Sequence, residues 1–291
     1  MQDYQPGIFD EASKHHLFLE FEFHDEMTPL PSATPISEEI VAGHQVVALS
    51  ATAMDHSGLS KPPSFEEFKP LRGIAGHETP ATQGDLFVWL HGTQRDEIFL
   101  RSIEWVQTLQ PVARLARETQ GFKFRDSRDL TGFVDGSANP KDDARMEVAL
   151  IPEGSCQGGS FVFLQRWKHK LAQFHTLSVS EQERVIGRTK PDSIELTGDA
   201  MPDNSHVSRT DIKREDKAVK IYRRSVPAGN PSEAGLQFIA FSAEQQRFGE
   251  LLRSMYGLSE ERISDNLLQY TSPLTGAYYY APPLSQLNGL V

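Results

Sequence analysis

Apolar and polar side chains alternate along residues 16–24. Leu17, Leu19, Phe21 and Phe23 fall on one face and Phe18, Glu20, Glu22 and His24 on the other, the period of a half-buried β-strand. The period changes in 36–56 (ISEEIVAGHQVVALSATAMDH), where acidic residues near the start and apolar residues three and four apart predict a helix capped by Ser37. A stretch through Pro62, Pro63 and Pro70 predicts a loop. Gly84 then opens a short apolar run, 85–90 (DLFVWL), suited to a strand. Residues 93–109 follow with Ile98, Ile103, Trp105, Val106 and Leu109 at the spacing of an amphipathic helix.

The same order recurs in the second half. Gly159 opens the apolar run 160–164 (SFVFL), 178–186 is patterned as a helix, and the run 236–241 (LQFIAF) precedes a helical stretch at 244–255. The pairs DLFVWLHGTQRDEIFLRSIEWV and LQFIAFSAEQQRFGELLRSMY are therefore expected to be copies of one α+β unit. A chain of 291 residues has room for two such units at about 150 residues each. Between them, 122–152 is rich in Gly, Asp, Asn and Pro, too polar for core and too long for an incidental connection. Such a loop between repeated modules is a natural seat for chemistry.

Composition narrows the chemistry. Cys156 is the single cysteine, which excludes an internal disulfide framework and a Cys-based zinc site, and fits a reducing compartment. The formal net charge of -11 argues against bulk electrostatic binding to nucleic acid or to an anionic membrane. The first residues have no basic start and no apolar core of a secretory signal, and no apolar run approaches the ~18–20 residues of a membrane span, so a cytoplasmic protein is expected. Phosphate-binding glycine loops, the zinc-protease histidine pair and the G-x-S-x-G elbow are all missing.

Two polar segments remain. In the first, Gly132 and Gly136 bracket Asp135 and are followed by Ser137-Ala138-Asn139-Pro140; the glycines let backbone approach a ligand, although an Asp-Gly turn alone has the same composition. The second is Asn204-Ser205-His206-Val207-Ser208-Arg209, with Arg223, Arg224 and Ser225 on an expected strand at 219–226. A single polar-loop histidine is usually a surface residue, and His44, His91, His169 and His175 are read as structural.

The succession G-F-V-D-G-S-A-N-P, G-G-S-F-V-F-L-Q-R-W-K-H-K-L, S-E-Q-E-R-V-I-G-R-T-K, S-H-V-S-R, R-R-S-V-P and D-N-L-L-Q-Y-T-S-P-L-T-G-A-Y-Y-Y-A-P-P spans 122–283 and resembles the dye-decolourising peroxidases, specifically their compact bacterial B-type group. The resemblance implies an α+β fold of two ferredoxin-like modules, of the dimeric α/β-barrel type, with antiparallel sheets and peripheral helices. The modules would be 1–121 and 153–291, with 122–152 as a lid between them and haem in the second.

It also implies haem b as cofactor, hydrogen peroxide and small-molecule electron donors as partners, and a homo-oligomer. By motif, His206 matches the axial iron ligand, Asp135 the acid–base residue, Arg223 the distal arginine and Ser225 its polar neighbour, with Gly136 lining the cofactor. Arg224 is the rival of Arg223, because neighbours on a strand face opposite ways. Arg223 is preferred for its spacing to His206 and for Ser225 two positions on. Asp265 and Gln269 are both candidates to accept the other imidazole N–H of His206. Trp167, Tyr222, Tyr256 and Tyr278–Tyr280 could relay electrons, although aromatics in such strand-like runs are more often core. Two other readings stay open: a haem-handling protein with incidental peroxidase activity, and a cofactor-free oxygenase or binding module on the same fold.

Overall fold

The computed structural model describes residues 3–25, 30 and 42–287. Eight strands form its frame: β1 (His15–Phe23), β2 (Gln45–Leu49), β3 (Leu86–Gly92), β4 (Ala113–Phe122), β5 (Ser160–His169), β6 (Val226–Asn230), β7 (Glu233–Ser242) and β8 (Ala277–Ala281). Their antiparallel pairing closes on itself in the order β1-β3-β2-β8-β5-β7-β6-β4 and back to β1, a barrel-like sheet flanked by helices. Each half of the chain supplies four consecutive strands, and numbered within its half each set has the order 4-1-3-2. In the backbone ladder of the described residues the two sets are joined by single residue pairs, Tyr280 with Leu49 and Ala228 with Gly121.

Ring closure explains two departures from the sequence pattern. In β1, Leu17, Leu19 and Phe21 face the helices as expected, but Phe18 and Glu20 are also buried, because their face looks into the ring. Glu20 is accommodated there by Arg117 at 3.1 Å and by the Tyr279 hydroxyl at 2.6 Å. The second departure is the helix expected at 36–56. Ser37 and 36–41 lie outside the described residues, whereas Gln45–Leu49 is a strand and the helix is Ala51–Ser57, capped by Ser50. Val46 to Leu49 are buried on both faces between β3 and β8, and a strand covered on both sides loses the alternation that separates it from a helix.

The duplicated pair corresponds to the third strand of each half and the helix after it: β3 with Arg95–Leu109 and β7 with Gln246–Met255. Ile98, Trp105 and Leu109, then Phe248 and Leu252, pack on the outer faces of the sheet. Phe87, Trp89, Val162, Leu164, Ile239 and Phe241 fill the ring. The strand expected at 219–226 is interrupted: Tyr222–Arg223 pairs with β7, and β6 starts only at Val226. No helix among the described residues is long and apolar enough to cross a membrane.

Candidate active site

A cavity of about 320 Å³ lies against the outer face of the second half, in the size range of cofactor pockets. Alternation along β5 brings Phe163, Gln165 and Trp167 to its wall, β7 adds Leu236 and Phe238, and the helix Gln246–Met255 adds Phe248, Leu251, Leu252 and Met255. Into this apolar chamber project two polar groups of residues.

His206 is the first residue of the short helix His206–Thr210, and that start is fixed by Ser205, whose hydroxyl accepts the Ser208 N–H. The imidazole Nδ1 donates to Asp265 Oδ2 at 2.7 Å. Asp265 is itself a cap, its Oδ1 accepting the Leu267 N–H at 2.8 Å, and its side chain is fully buried. The Asn266 N–H to Asn204 carbonyl bond at 2.8 Å ties the two segments together. With Nδ1 committed as a donor to a carboxylate, Nε2 is the nitrogen that offers a lone pair in the neutral ring, and it has no partner among the described residues. A quarter of the His206 side chain stays open, toward the cavity it lines. Such a histidine could hold a metal.

Gln269 is not part of this arrangement. The segment Asn266–Gln269 is a 3-10 turn that carries the Gln269 amide away from the cavity, to Asn266 Oδ1 at 2.7 Å in solvent. Asp265 alone reaches the imidazole, and the expectation for Gln269 is corrected.

Asp135 enters from the central loop. Residues 127–135 form a small hairpin, with Asp135 N–H bonded to the Ser127 carbonyl and Asp129 N–H to the Phe133 carbonyl. Phe133 anchors it by packing with Phe174 and Val185. Gly136 follows at φ 74°, and its N–H donates to Asp135 Oδ1 at 2.7 Å. Burial raises the Asp135 pKa above the usual carboxylate range, and the Arg223 guanidinium, 4.0 Å away, opposes that rise. Arg223 and Asp135 both line the cavity.

Arg224 turns elsewhere. Its guanidinium bonds the backbone carbonyls of Ile8 and Asp10 and stacks 5.2 Å from the Trp89 ring. Ser225 does not reach the first cavity: it lines a second, polar one that also touches Asp135, Gly136 and Arg223, and its Oγ is buried without a partner. Trp167 lies in the first cavity wall, whereas Tyr222, Tyr256, Tyr279 and Tyr280 are core.

Sequence reasoning missed Asn139. Its amide accepts the Arg223 N–H at 3.1 Å and donates to the Arg223 carbonyl at 2.7 Å, so the loop that carries Asp135 also grips the strand that carries Arg223. The position was visible inside the G-F-V-D-G-S-A-N-P run, but its partner lies 84 residues away. Also missed were Asp129 and His169, joined at 3.0 Å in the cavity wall.

Comparison with known proteins gives a consistent set. Residues 126–286 match the family model described as Dyp-type peroxidase, C-terminal. A dye-decolorizing peroxidase of Mycobacterium tuberculosis is 33% identical over 250 residues, 84% of this chain and 74% of that protein. The solved structure of a putative Dyp-type peroxidase from Shewanella oneidensis superposes with a TM-score of 0.92 at 34% identity, covering 99% of this chain and 98% of the other. A DypB variant from Rhodococcus jostii, solved in complex with haem, superposes with a TM-score of 0.86 at 32% identity over 95% of each chain.

Proposed function

The chain belongs to the Dyp-type peroxidase family, and from that premise we propose how its pocket works as a haem-dependent peroxidase that reduces hydrogen peroxide and oxidises dyes, phenolics or other one-electron donors. The residues fit the cofactor. His206 offers a lone pair on Nε2 while Asp265 fixes its tautomer and strengthens it as a ligand. Phe163, Trp167, Phe238, Phe248 and Leu251 give the apolar walls a macrocycle needs. When bound, haem b supplies the redox chemistry, taking oxidising equivalents from peroxide and returning them singly to donors.

The chain's own residues handle protons and charge. Cleaving peroxide requires a proton to leave one oxygen and reach the other, which departs as water. Among the described residues Asp135 is the carboxyl paired with Arg223, and it can perform both transfers. Arg223 stabilises the negative charge that develops as the O–O bond breaks, and Asn139 holds it by its backbone rather than its guanidinium, leaving the donors free. The observation that carries the proposal is this combination in one cavity: an iron-competent His206–Asp265 pair with an Asp135–Arg223 pair. A haem-handling protein has no use for the second pair.

The finer architecture belongs to the same proposal. The order 4-1-3-2 in each half, joined by single residue pairs, supports two ferredoxin-like modules, 1–121 and 153–291, with 122–152 as the lid. Phe99 and Leu100, exposed on the outer helix, support a homo-oligomer.

The deciding experiment is an absorption titration with haem followed by one equivalent of peroxide. Wild type and His175→Ala should show the same Soret band and respond to peroxide, and His206→Ala should lose or loosen the haem. An unaltered spectrum in His206→Ala would remove the assignment.

A further inference from the structure

Proton bookkeeping around His169 has two solutions. Asp129 Oδ2 accepts both the Thr131 N–H at 2.8 Å and the Thr131 hydroxyl at 2.6 Å, and Oδ1 faces His169 Nε2 at 3.0 Å. The histidine and threonine contacts hold the Asp129 pKa down to about 2 against the opposing effect of burial, so this carboxylate only accepts and Nε2 must carry a proton. The other ring nitrogen lies 2.8 Å from the Thr271 hydroxyl, which also reaches the Lys168 carbonyl at 3.2 Å. That hydroxyl has one proton. Donated to Lys168, it leaves an oxygen that accepts from a protonated Nδ1, and the ring is an imidazolium. Turned to Nδ1, it serves a neutral ring. Both states keep the bond to Asp129 and differ by one positive charge.

The hairpin transmits that difference. Ser127 pairs with Asp135 and Asp129 with Phe133, so Asp129 and Asp135 sit on one face as diagonal neighbours, roughly 7–8 Å apart in such a ladder. We propose that Asp129 and His169 are positioning residues which set the proton affinity of Asp135: the Asp129 carboxylate faces Asp135 across the hairpin, and the imidazolium form of His169, the one in which the Thr271 hydroxyl donates to Lys168, cancels that charge. Arg223, Asp129 and His206 are the charged or titratable groups acting on Asp135 directly. The others in this cavity wall are paired among themselves, Arg188 with Glu195 and Lys220 with Asp211; of those around the second cavity, Arg128 pairs with Asp126, Arg145 with Glu11 and Arg224 with backbone carbonyls, His16 is buried, and Lys123, Lys141 and Asp142 are exposed. Beside His169, Lys168 faces Glu233 and Lys170 donates to the Gln269 carbonyl, so Asp129 is its one ionic partner among the described residues.

The consequence for peroxide rests on the function proposed above, but the test does not. In infrared titrations of the holoprotein, the protonated-carboxyl band that Asp135→Asn abolishes reports Asp135 directly. Asp129→Asn should lower its midpoint by about one pH unit, the size of a unit charge at this separation in a partly wet pocket. His169→Gln should raise it by a similar amount, and the double variant should return near wild type. Opposite signs are the signature, because a merely structural role would move both variants the same way or neither. Shifts of like sign, or none, overturn the proposal. Where the band moves as stated and the acid limb of the peroxide step moves with it, the pair tunes Asp135 during turnover. A moving band with unmoved kinetics would still support the pair and would instead refute Asp135 as the base.

Discussion

Asp265→Asn is the smallest change that separates holding His206 in place from holding it in the right protonation state. The carboxylate accepts two buried bonds, from His206 Nδ1 at 2.7 Å and from the Leu267 N–H at 2.8 Å. An amide has one acceptor oxygen. If that oxygen stays on Leu267, the NH₂ faces Nδ1 and drives the imidazole proton to Nε2, the atom needed for iron. If the amide flips, Nδ1 is satisfied and the Leu267 N–H meets another donor, at about 1–3 kcal/mol for an unsatisfied buried group. Both outcomes weaken ligation, by roughly 10- to 100-fold in haem affinity. Loss of the anionic partner also raises the ferric–ferrous potential, since a less basic imidazole stabilises ferric iron less. Transfer of haem to an excess of a haem-free globin gives the affinity change, and redox titration the second effect. Gln269→Leu is the control, its amide being exposed and bonded to Asn266. A haem transfer rate and potential in Asp265→Asn equal to wild type would refute the reasoning.

Three further outcomes are expected. Burial raises the Asp135 pKa, so the folded protein binds that proton more tightly than the unfolded chain, and stability declines as pH rises from the unfolded value near ~3.9 through the folded one. Asp135→Asn should therefore raise Tm at neutral pH, with the gain vanishing in acid, while stopped-flow shows the peroxide step ~10²- to 10⁴-fold slower; a lower Tm at neutral pH contradicts the sign. Arg223→Leu should keep the fold and slow that step ~10²- to 10³-fold, whereas Arg224→Leu should keep its rate in the folded fraction and lose several kcal/mol in denaturant titration, at roughly 1–3 kcal/mol per abandoned carbonyl. Asn139→Leu leaves both catalytic side chains intact but frees the Arg223 backbone, and should slow the peroxide step by about ten- to a hundredfold with haem content unchanged; wild-type rates would show that the clamp is not needed.

Local pattern was enough to recover much of the frame. The strands 85–90, 160–164 and 236–241 were legible as short apolar runs, because the ring buries them on both faces, and the helices that follow were legible by the apolar stripe each buries. The helix patterned at 178–186 is Val179–Ile186, and the structure shows its start fixed by a capping box between Ser178 and Glu181. The order of motifs pointed to His206, Asp135 and Arg223, which the fold gathers around one cavity although the first and second are 71 residues apart in number.

What failed locally failed for one reason: the deciding partner is distant in the chain. Gln45–Leu49 became a strand because β3 and β8 cover both its edges, and β8 lies more than two hundred residues later. Arg223 and Arg224 are adjacent and equally basic, and only the N-terminal carbonyls of Ile8 and Asp10 and the Trp89 ring remove the second from the site. Asp265 and Gln269 were equivalent by spacing until a 3-10 turn sent one to His206 and the other to solvent. His169 looked structural because neither Asp129 nor Thr271, 40 and 102 residues away, is visible from its own neighbourhood. Sequence by itself determined which side chains can form periodic elements and which polar residues the chain retains. Tertiary structure decided which of those polar groups meet, because the free energy of a buried charge or hydrogen bond depends on a partner that only closure of the ring and docking of the hairpin bring within reach.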